Sequence, residues 1–307
     1  MITNNPLLHC DPEKGVCEIL ETPDSEASAE QLQSTKDKIT IIYYTDPICS
    51  SCWGIEAQLR KMKLEYGNAV ELDYRMGGLL PSWDIYNSGG ISKPGDVAHH
   101  WEEVSPYYRM PIEGGVWLKD PLNSSYPPSI AFKAAQMQDK KKAVDYMRIT
   151  REMVFLDQLN ITKTEHLENA AELAGLDVTQ WKEDYESKAQ IEFKKDLDLA
   201  RQLGVRGFPT LIFTKDEEIL DILYGFKPYA DFERRITKIS PEAKKQKYST
   251  EPDQLFAVYP TLTTQEFAVL SNISFEKAFE TLMELNAEDK ISRKKYKNGD
   301  LWVSGTN

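Results

Sequence analysis

Two cysteines separated by two serines, in the stretch DPICSSCWG at residues 46–54, constrain the fold of this chain more than any other feature. They follow a β-branched and aromatic run, KITIIYYTD, which is apolar on both faces as a buried central strand is. They precede a segment with apolar residues at helical spacing from Ile55 to Tyr66, and a second strand pattern, AVELDYRM, comes after that segment. We therefore predict a right-handed βαβ unit with the two cysteines at the N-terminus of its helix.

This position suits thiol–disulfide exchange. The free N–H groups and the dipole of a helix N-terminus stabilise a thiolate, and a second thiol one turn later can resolve a mixed disulfide. We predict that Cys49 is the more exposed, attacking thiol, with a pKa lowered from about 8.5 to about 7, and that Cys52 is the resolving thiol. The two serines between them carry no charge, so a mild redox couple is expected.

Two other interpretations of the cysteine pair stay open. It could be a remnant in a scaffold that no longer performs redox chemistry, or it could bind a metal. A structural zinc site normally has four nitrogen or sulfur ligands, and the sequence contains no second C-x-x-C motif to complete one. We predict no metal and no cofactor.

A long block of helical patterns, at about residues 83–203, interrupts the α/β pattern, which then returns as GFPTLIFTKD, EEILDILYGF and a closing helix. This order predicts a helical subdomain inserted into an α/β core. Pro209 is well placed to adopt a cis peptide bond, which would expose the backbone of Phe208 beside the cysteine loop for pairing with a substrate chain. The predicted substrate-binding residues are Phe208, Thr210 and Trp53, with core packing as the alternative role for the tryptophan.

In their order along the chain, these motifs resemble the DsbA family of thioredoxin-fold proteins, and within it the FrnE-like branch. The resemblance is carried by YTDPICSSCWG, YRMGGLLPSW, YPPSIAFKAAQMQ and LGVRGFPTLIF, within a domain at residues 38–239. It implies a thioredoxin core with an inserted helical subdomain, Cys49 as the nucleophile, Cys52 as the resolving thiol and Pro209 as the cis-proline. Two serines replace the dipeptide of many relatives, which leaves the rate and the redox potential open.

The N-terminal segment carries a second cysteine pair. Residues 1–37 are polar and acidic, and we predict an irregular arm around Cys10 and Cys17. These two residues could form a secondary redox pair that passes electrons to the main site, or they could be free thiols. A zinc site that combines both cysteine pairs is a further alternative.

The C-terminal segment predicts a separate module. Residues 240–254 lack periodicity and read as a linker. Residues 255–307 contain two helical patterns and a hairpin around Asn298–Gly299, an order that predicts a winged-helix-like module. Glutamates spaced four apart line its second helix, so we expect the module to pack against the main domain or to bind a protein partner, and not to bind nucleic acid.

The charge and the hydropathy of the chain exclude some classes of partner and predict its location. The net charge of -12 at pH 7 argues against a nucleic-acid or anionic-membrane surface as the main partner. No signal peptide or membrane span is evident, so we expect a cytoplasmic location. The leading prediction is a thiol–disulfide oxidoreductase or isomerase that acts on protein or low-molecular-weight thiols and disulfides.

The layout of the chain also resembles proteins with two other functions. The main alternative is a non-enzymatic partner-binding adaptor, because the layout is similar to that of the Spx adaptor of the ClpXP protease. A kappa-class glutathione-dependent isomerase is a weaker one, since that class typically has serine where this chain has Cys49.

Overall fold

The computed structural model describes residues 38–86 and 90–305 and, before them, the backbone of residues 8–11 and 16–19. The strands are β1 (Leu8–Asp11), β2 (Val16–Ile19), β3 (Ile39–Thr45), β4 (Val70–Met76), β5 (Gly207–Phe208), β6 (Thr210–Lys215), β7 (Glu218–Tyr224), β8 (Thr261–Thr263), β9 (Ile291–Tyr296) and β10 (Gly299–Ser304). The central sheet has the order β4-β3-β6-β7. β3 and β4 are parallel, as the predicted βαβ unit requires, whereas β6 runs antiparallel to both of its neighbours.

Helices cover this sheet and form the inserted subdomain. They are α1 (Ser50–Gly54), α2 (Glu56–Tyr66), α3 (Pro94–Tyr108), α4 (Val116–Lys119), α5 (Tyr126–Gln138), α6 (Lys140–Phe155), α7 (Thr164–Leu173), α8 (Val178–Glu186), α9 (Lys188–Gln202), α10 (Tyr229–Ile239), α11 (Pro252–Val258), α12 (Thr264–Ser271) and α13 (Phe275–Ala287). The insertion runs from α3 to α9, so the predicted thioredoxin fold with an inserted helical subdomain is confirmed. In the described part of the chain, no helix is both long and apolar enough to cross a membrane.

The helix after the cysteine motif is interrupted, although the sequence predicted it as continuous. α1 ends at Gly54 and α2 begins at Glu56. A Cβ atom at Gly54 would lie only 2.7 Å from Cγ of Tyr108, so only glycine permits the tyrosine ring to pack this closely against the first turn. The short helix α1 is therefore held by the insertion as well as by the central sheet.

The N-terminal arm is not irregular throughout, which corrects the prediction. β1 and β2 form an antiparallel hairpin, and β2 continues the pairing onto β5. Within the arm, the structure describes only the backbone of these two strands. The side chains of Cys10 and Cys17 lie outside the described part, so their role as a secondary redox pair stays a prediction.

The C-terminal segment has the predicted order of two helices and a hairpin, with a sheet of order β8-β10-β9. The linker is irregular up to α11, which begins at Pro252 inside the predicted linker. This linker contacts the main domain, since the N–H of Gln246 donates to the carbonyl of Glu65 at 2.7 Å. Whether the module belongs to the winged-helix class stays a prediction.

Buried ion pairs fasten this module to the thioredoxin domain. Glu266 of α12 is fully buried and accepts two hydrogen bonds from Arg148 of α6, at 2.7 and 3.1 Å. Arg60 of α2 lies 3.2 Å from the same carboxylate. At the surface, Lys297 in the turn of the predicted hairpin pairs with Glu102 of the insertion at 2.7 Å. The module is therefore part of one packed body, and a basic side chain that could have contacted phosphate is paired internally.

Candidate functional site

Both cysteines of the motif are completely buried. Cys49 caps the N-terminus of α1, and its Sγ accepts a hydrogen bond from the backbone N–H of Cys52 at 3.3 Å. The relative exposure of each cysteine is 0%. The predicted helix-terminal position of Cys49 is confirmed, but the prediction that its thiol is the more exposed one is wrong.

The order of acidity of the two thiols is the reverse of the predicted one. It raises the pKa of Cys49 well above its ordinary value, and the hydrogen bond and the charge of Cys52 raise it further. Burial alone would raise the pKa of Cys52 too. The hydrogen bond from Cys49, the charge of Arg151 and the hydroxyl of Thr45 outweigh that effect and lower the pKa of Cys52 below its ordinary value. The inner sulfur is therefore the better stabilised thiolate.

The charge beneath Cys52 comes from the inserted subdomain. Arg151 of α6 is fully buried, and one of its Nη atoms donates to Thr45 Oγ1 at 2.6 Å and to the carbonyl of Asp46 at 3.2 Å. Its other Nη atom forms an ion pair with Glu56 of α2. Among the described residues, the Nε–H of Arg151 has no hydrogen-bond partner. Sequence reasoning missed this arginine because nothing local in TREMVFL marks it as a site residue.

Asp46 organises the loop before the cysteines. Its carboxylate accepts hydrogen bonds from the N–H of Ile48 at 3.1 Å, the N–H of Leu79 at 2.7 Å and the hydroxyl of Ser125 at 2.8 Å. Burial raises the pKa of Asp46 to about 6, although these three donors and Arg151 oppose that rise. The carboxylate thus joins three chain segments around the cysteine loop.

The cis-proline lies at the same end of the sheet. The peptide bond between Phe208 and Pro209 is cis, which confirms the prediction. Tyr44 pairs with Thr210, so Pro209 lies at the level of the end of β3, just before the cysteine loop. The structure therefore brings together the two motifs that are furthest apart in the predicted domain.

The predicted substrate-binding side chains are not accessible. Phe208 and Trp53 have relative exposures of 0%, and the hydroxyl of Thr210 donates to the carbonyl of Gly207 at 2.6 Å. The ring of Phe208 packs on Gly77, where a Cβ atom would lie 1.9 Å from its Cζ. The backbone of Phe208 also pairs with Cys17 of β2, so the edge that was predicted to receive a substrate chain is covered by the N-terminal hairpin. These three side chains are therefore buried within the protein, and their role in substrate binding stays a prediction.

Trp53 instead joins α1 to the insertion. Its Nε1–H donates to the carbonyl of Pro111 at 3.1 Å, and its ring stacks on Phe155 with centroids 5.6 Å apart. The guanidinium of Arg148, which also binds Glu266, lies 4.5 Å from the ring centroid. These contacts agree with the packing role that was the alternative for this tryptophan.

An apolar cavity beside the loop is too small for a ligand. It has a volume of about 30 Å³, which is room for a water molecule but not for a substrate. Its lining includes Ile48, Ser50, Trp83 and Trp101. In the described part of the chain, no cluster of three or more histidine, cysteine, aspartate or glutamate residues could hold a metal ion.

Comparisons with known proteins match both the core and nearly the whole chain. The thioredoxin family model matches residues 43–234. A protein named ClpXP adapter protein SpxH from Halalkalibacterium halodurans is 30% identical over 300 residues, which cover 96% of each chain. A protein of the same name from Bacillus subtilis is 27% identical over 275 residues, which cover 88% of this chain and 90% of the relative.

Solved structures share the fold at lower identity. A putative protein disulfide isomerase from Nitrosomonas europaea has a TM-score of 0.56 and 17% identity, and it covers 67% of this chain and 98% of its own. The cytosolic disulfide reductase DsbM from Pseudomonas aeruginosa has a TM-score of 0.52 and 17% identity, with coverages of 66% and 98%. These likenesses establish the fold, whereas the similarity to the adapter proteins extends along nearly the entire chain.

Proposed function

The chain belongs to the thioredoxin family, and we propose that within it the protein is a protein-binding adapter that delivers a client to the ClpXP protease. The observation that carries the proposal is the extent of the match. The similarity to a named ClpXP adapter covers 96% of both chains and therefore includes most of the segments on either side of residues 43–234. The adaptor interpretation, which was the alternative at the level of the sequence, thus becomes the leading one.

The state of the cysteines favours binding over catalysis. An enzyme that attacks protein disulfides needs an accessible thiolate. Cys49 has no exposed surface, and burial raises its pKa. An adapter requires no reactive thiol, so this geometry is compatible with a binding function.

A candidate contact surface lies on β7. In the described part of the chain, β7 is an outer strand of the central sheet, and Ile219, Leu220 and Ile222 are each 43–47% exposed. An exposed strand edge with apolar side chains promotes association unless a partner covers it. An extended segment of a client could add to this edge through backbone hydrogen bonds. The cytoplasmic location predicted from the sequence would place the protein where it meets such clients.

Thiol–disulfide exchange is the second candidate function. It is favoured by the intact cysteine pair and by the stabilisation of Cys52 through Arg151 and Thr45. A lowered thiol pKa on the inner cysteine makes it a good leaving group when the disulfide is attacked. The family and the solved relatives support oxidoreductase chemistry only at the level of the superfamily.

One experiment separates the two candidates. Protein half-lives would be measured across the proteome in cells that lack this gene or lack ClpP, after complementation with the wild type or with Cys49→Ser/Cys52→Ser. We expect the half-life of at least one protein to lengthen both when this gene is deleted and when ClpP is deleted. In cells that lack this gene, complementation with the wild type or with the double cysteine variant should shorten that half-life again. That client would then be degraded by purified ClpXP and ATP faster in the presence of the adapter.

The alternative outcomes are equally clear. If no ClpP-dependent half-life changes with this gene, the adapter proposal is wrong. If only the chain with both cysteines restores degradation, exchange chemistry is part of the function. Leu220→Lys should impair client degradation, whereas Leu118→Lys on α4, at a residue that is 70% exposed, is the matched control for added surface charge.

A further inference from the structure

The N-terminal hairpin lies where an extended substrate would be expected to pair. β2 adds to β5 with Cys17 opposite Phe208 and Glu18 opposite Gly207. Phe208 directly precedes the cis peptide bond to Pro209. A segment of the chain's own N-terminus therefore forms a β-ladder with the strand that leads into the cis-proline, in the manner of peptide recognition by strand addition.

In the register of this ladder, both arm cysteines lie at the level of Phe208. Cys10 of β1 is directly opposite Cys17 of β2, and Cys17 is directly opposite Phe208. Residues opposite each other in an antiparallel pair have Cα atoms about 4.5–5.5 Å apart, which is within the range of about 4.4–6.8 Å found for disulfides. The backbone thus places Cys10 and Cys17 at disulfide distance from each other.

The same geometry ranks the two cysteines by their distance from the main site. The pairing of Tyr44 with Thr210 places the start of β6 beside the end of β3, and Cys49 follows β3 by four residues. β2 is the strand next to β5, and β1 is one strand further out, by about 4.8 Å. Cys17 is therefore the arm cysteine whose backbone lies nearer to the edge at which Cys49 is located.

We propose that the N-terminal hairpin is an internal exchange partner of the cysteine motif, in which Cys17 exchanges with Cys49 and Cys10 resolves the product. The proposal rests on the second candidate function, exchange at Cys49 and Cys52. It explains why the hairpin covers β5, because the chain then supplies its own pair of thiols at the position that an extended substrate would occupy. External substrates would then have to displace the hairpin.

The exchange balances without a further reactant once the motif is a disulfide. The Cys17 thiolate attacks Sγ of Cys49, the Cys49–Cys52 bond breaks, and its electron pair leaves with Cys52 as a thiolate. The Cys10 thiolate then attacks Sγ of Cys17 and releases Cys49. Two electrons pass from the hairpin to the motif, and the two protons of the hairpin thiols end on Cys49 and Cys52. The reverse sequence passes electrons from the motif to the hairpin.

Two matched variants of the full chain test the register. Cys10→Ser/Cys52→Ser leaves Cys17 with Cys49, and Cys17→Ser/Cys52→Ser leaves Cys10 with Cys49. Each is incubated with glutathione disulfide, quenched in acid, alkylated and digested, and the cross-linked peptides are quantified by mass spectrometry. We expect at least tenfold more Cys17–Cys49 than Cys10–Cys49 cross-link. Equal yields, the reverse preference, or no cross-link in either variant would overturn the proposal.

A proline substitution tests whether the ladder itself is responsible. Glu18→Pro removes a backbone donor from β2, the middle strand of its sheet, and disrupts the pairing with β5. In the Cys10→Ser/Cys52→Ser background it should lower the Cys17–Cys49 yield at least fivefold. An unchanged yield would mean that a random encounter, and not the strand pairing, brings the two thiols together.

A last variant separates this proposal from the function on which it rests. Cys10→Ser/Cys17→Ser retains only the motif and is titrated in glutathione redox buffers, with the thiol count followed by mass. If Cys49 and Cys52 titrate reversibly but the cross-link is absent, only the hairpin proposal is wrong. If the motif does not form its disulfide at all, the exchange candidate is wrong and the hairpin proposal falls with it.

Discussion

Replacing Arg151 should remove the thiolate character of Cys52. Arg151 is fully buried, and its charge is one of the groups that lower the pKa of this thiol. An opposite charge at about 4–6 Å typically lowers a pKa by about 1–3 pH units, at about 1.4 kcal/mol per unit. We therefore expect the pKa of Cys52 to rise in Arg151→Met, whereas Arg151→Lys should keep part of the effect.

The substitution needs a charge-balanced partner. Arg151 is fully buried and forms an ion pair with the partly buried Glu56, and removing one partner of a buried pair can cost about 3–5 kcal/mol of stability. Arg151→Met/Glu56→Gln removes both charges and is the variant to compare with the wild type. Circular dichroism and thermal unfolding would establish that it is folded before its thiols are titrated.

The assay is the ultraviolet absorbance of the thiolate as a function of pH in the reduced protein, with both arm cysteines replaced by serine. Alkylation followed by mass spectrometry assigns the titrating thiol to Cys49 or Cys52. An unchanged pKa of Cys52 in the folded double variant would refute the electrostatic account. Labelling of Cys49 before Cys52 in the wild type would refute the assignment of the thiolate to the inner sulfur.

The same shift predicts a pH dependence of stability. A thiol whose pKa is lowered in the folded state stabilises the fold above its ordinary pKa, about 8.5, and this contribution is lost as the pH falls through the folded-state value. The reduced wild type should therefore gain stability over Arg151→Met/Glu56→Gln as the pH rises towards about 8.5. Urea unfolding at several pH values would measure the difference.

Other parts of the structure give equally direct tests. Burial raises the pKa of Asp46 to about 6. The free energy of unfolding of the wild type, measured in urea, should therefore increase relative to that of Asp46→Asn by up to about 3 kcal/mol as the pH falls from about 7 to about 4. A difference that does not change with pH would contradict this. Glu266→Gln leaves two buried arginines without their carboxylate and should lower the free energy of unfolding by about 3–5 kcal/mol, whereas a change below about 1 kcal/mol would mean that the module is only loosely attached. Gly77→Ala forces a methyl group into the ring of Phe208 and should cost about 1–3 kcal/mol in thermal unfolding, while Gly95→Ala, with no described atom within 4 Å of the added carbon, should cost little.

Much of the fold could be predicted because its signals are local. The buried strand before the motif, the amphipathic helix after it and the hairpin at Asn298–Gly299 each follow from the periodicity or turn chemistry of a few neighbouring residues. The cis bond at Pro209 was predicted from a proline at a strand entry together with an earlier cysteine motif. Such features depend little on what packs against them.

The chemical state of the site could not be predicted because it depends on distant residues. The helix-terminal position of Cys49 suggested a lowered pKa, but burial by surrounding elements raises it. Arg151, which lies about 100 residues further along the chain, contributes its charge to the neighbouring thiol instead. No local pattern marks that arginine, because its position follows from how α6 packs beneath the motif.

The sequence by itself thus determined the βαβ unit, the helical insertion, the position of both motif cysteines and the cis-proline, since short-range preferences specify each of them. The thioredoxin core was implied by the resemblance of the ordered motifs to the DsbA family. Tertiary structure alone decided that Cys49 is buried, that Cys52 has the stabilising charge, that the N-terminal hairpin covers the strand before Pro209 and that α12 is fastened through Glu266. The physical reason is that desolvation, buried charge pairing and strand addition depend on which distant segments come into contact. Those contacts convert a cysteine motif that the sequence predicts to be accessible into one that is fully covered.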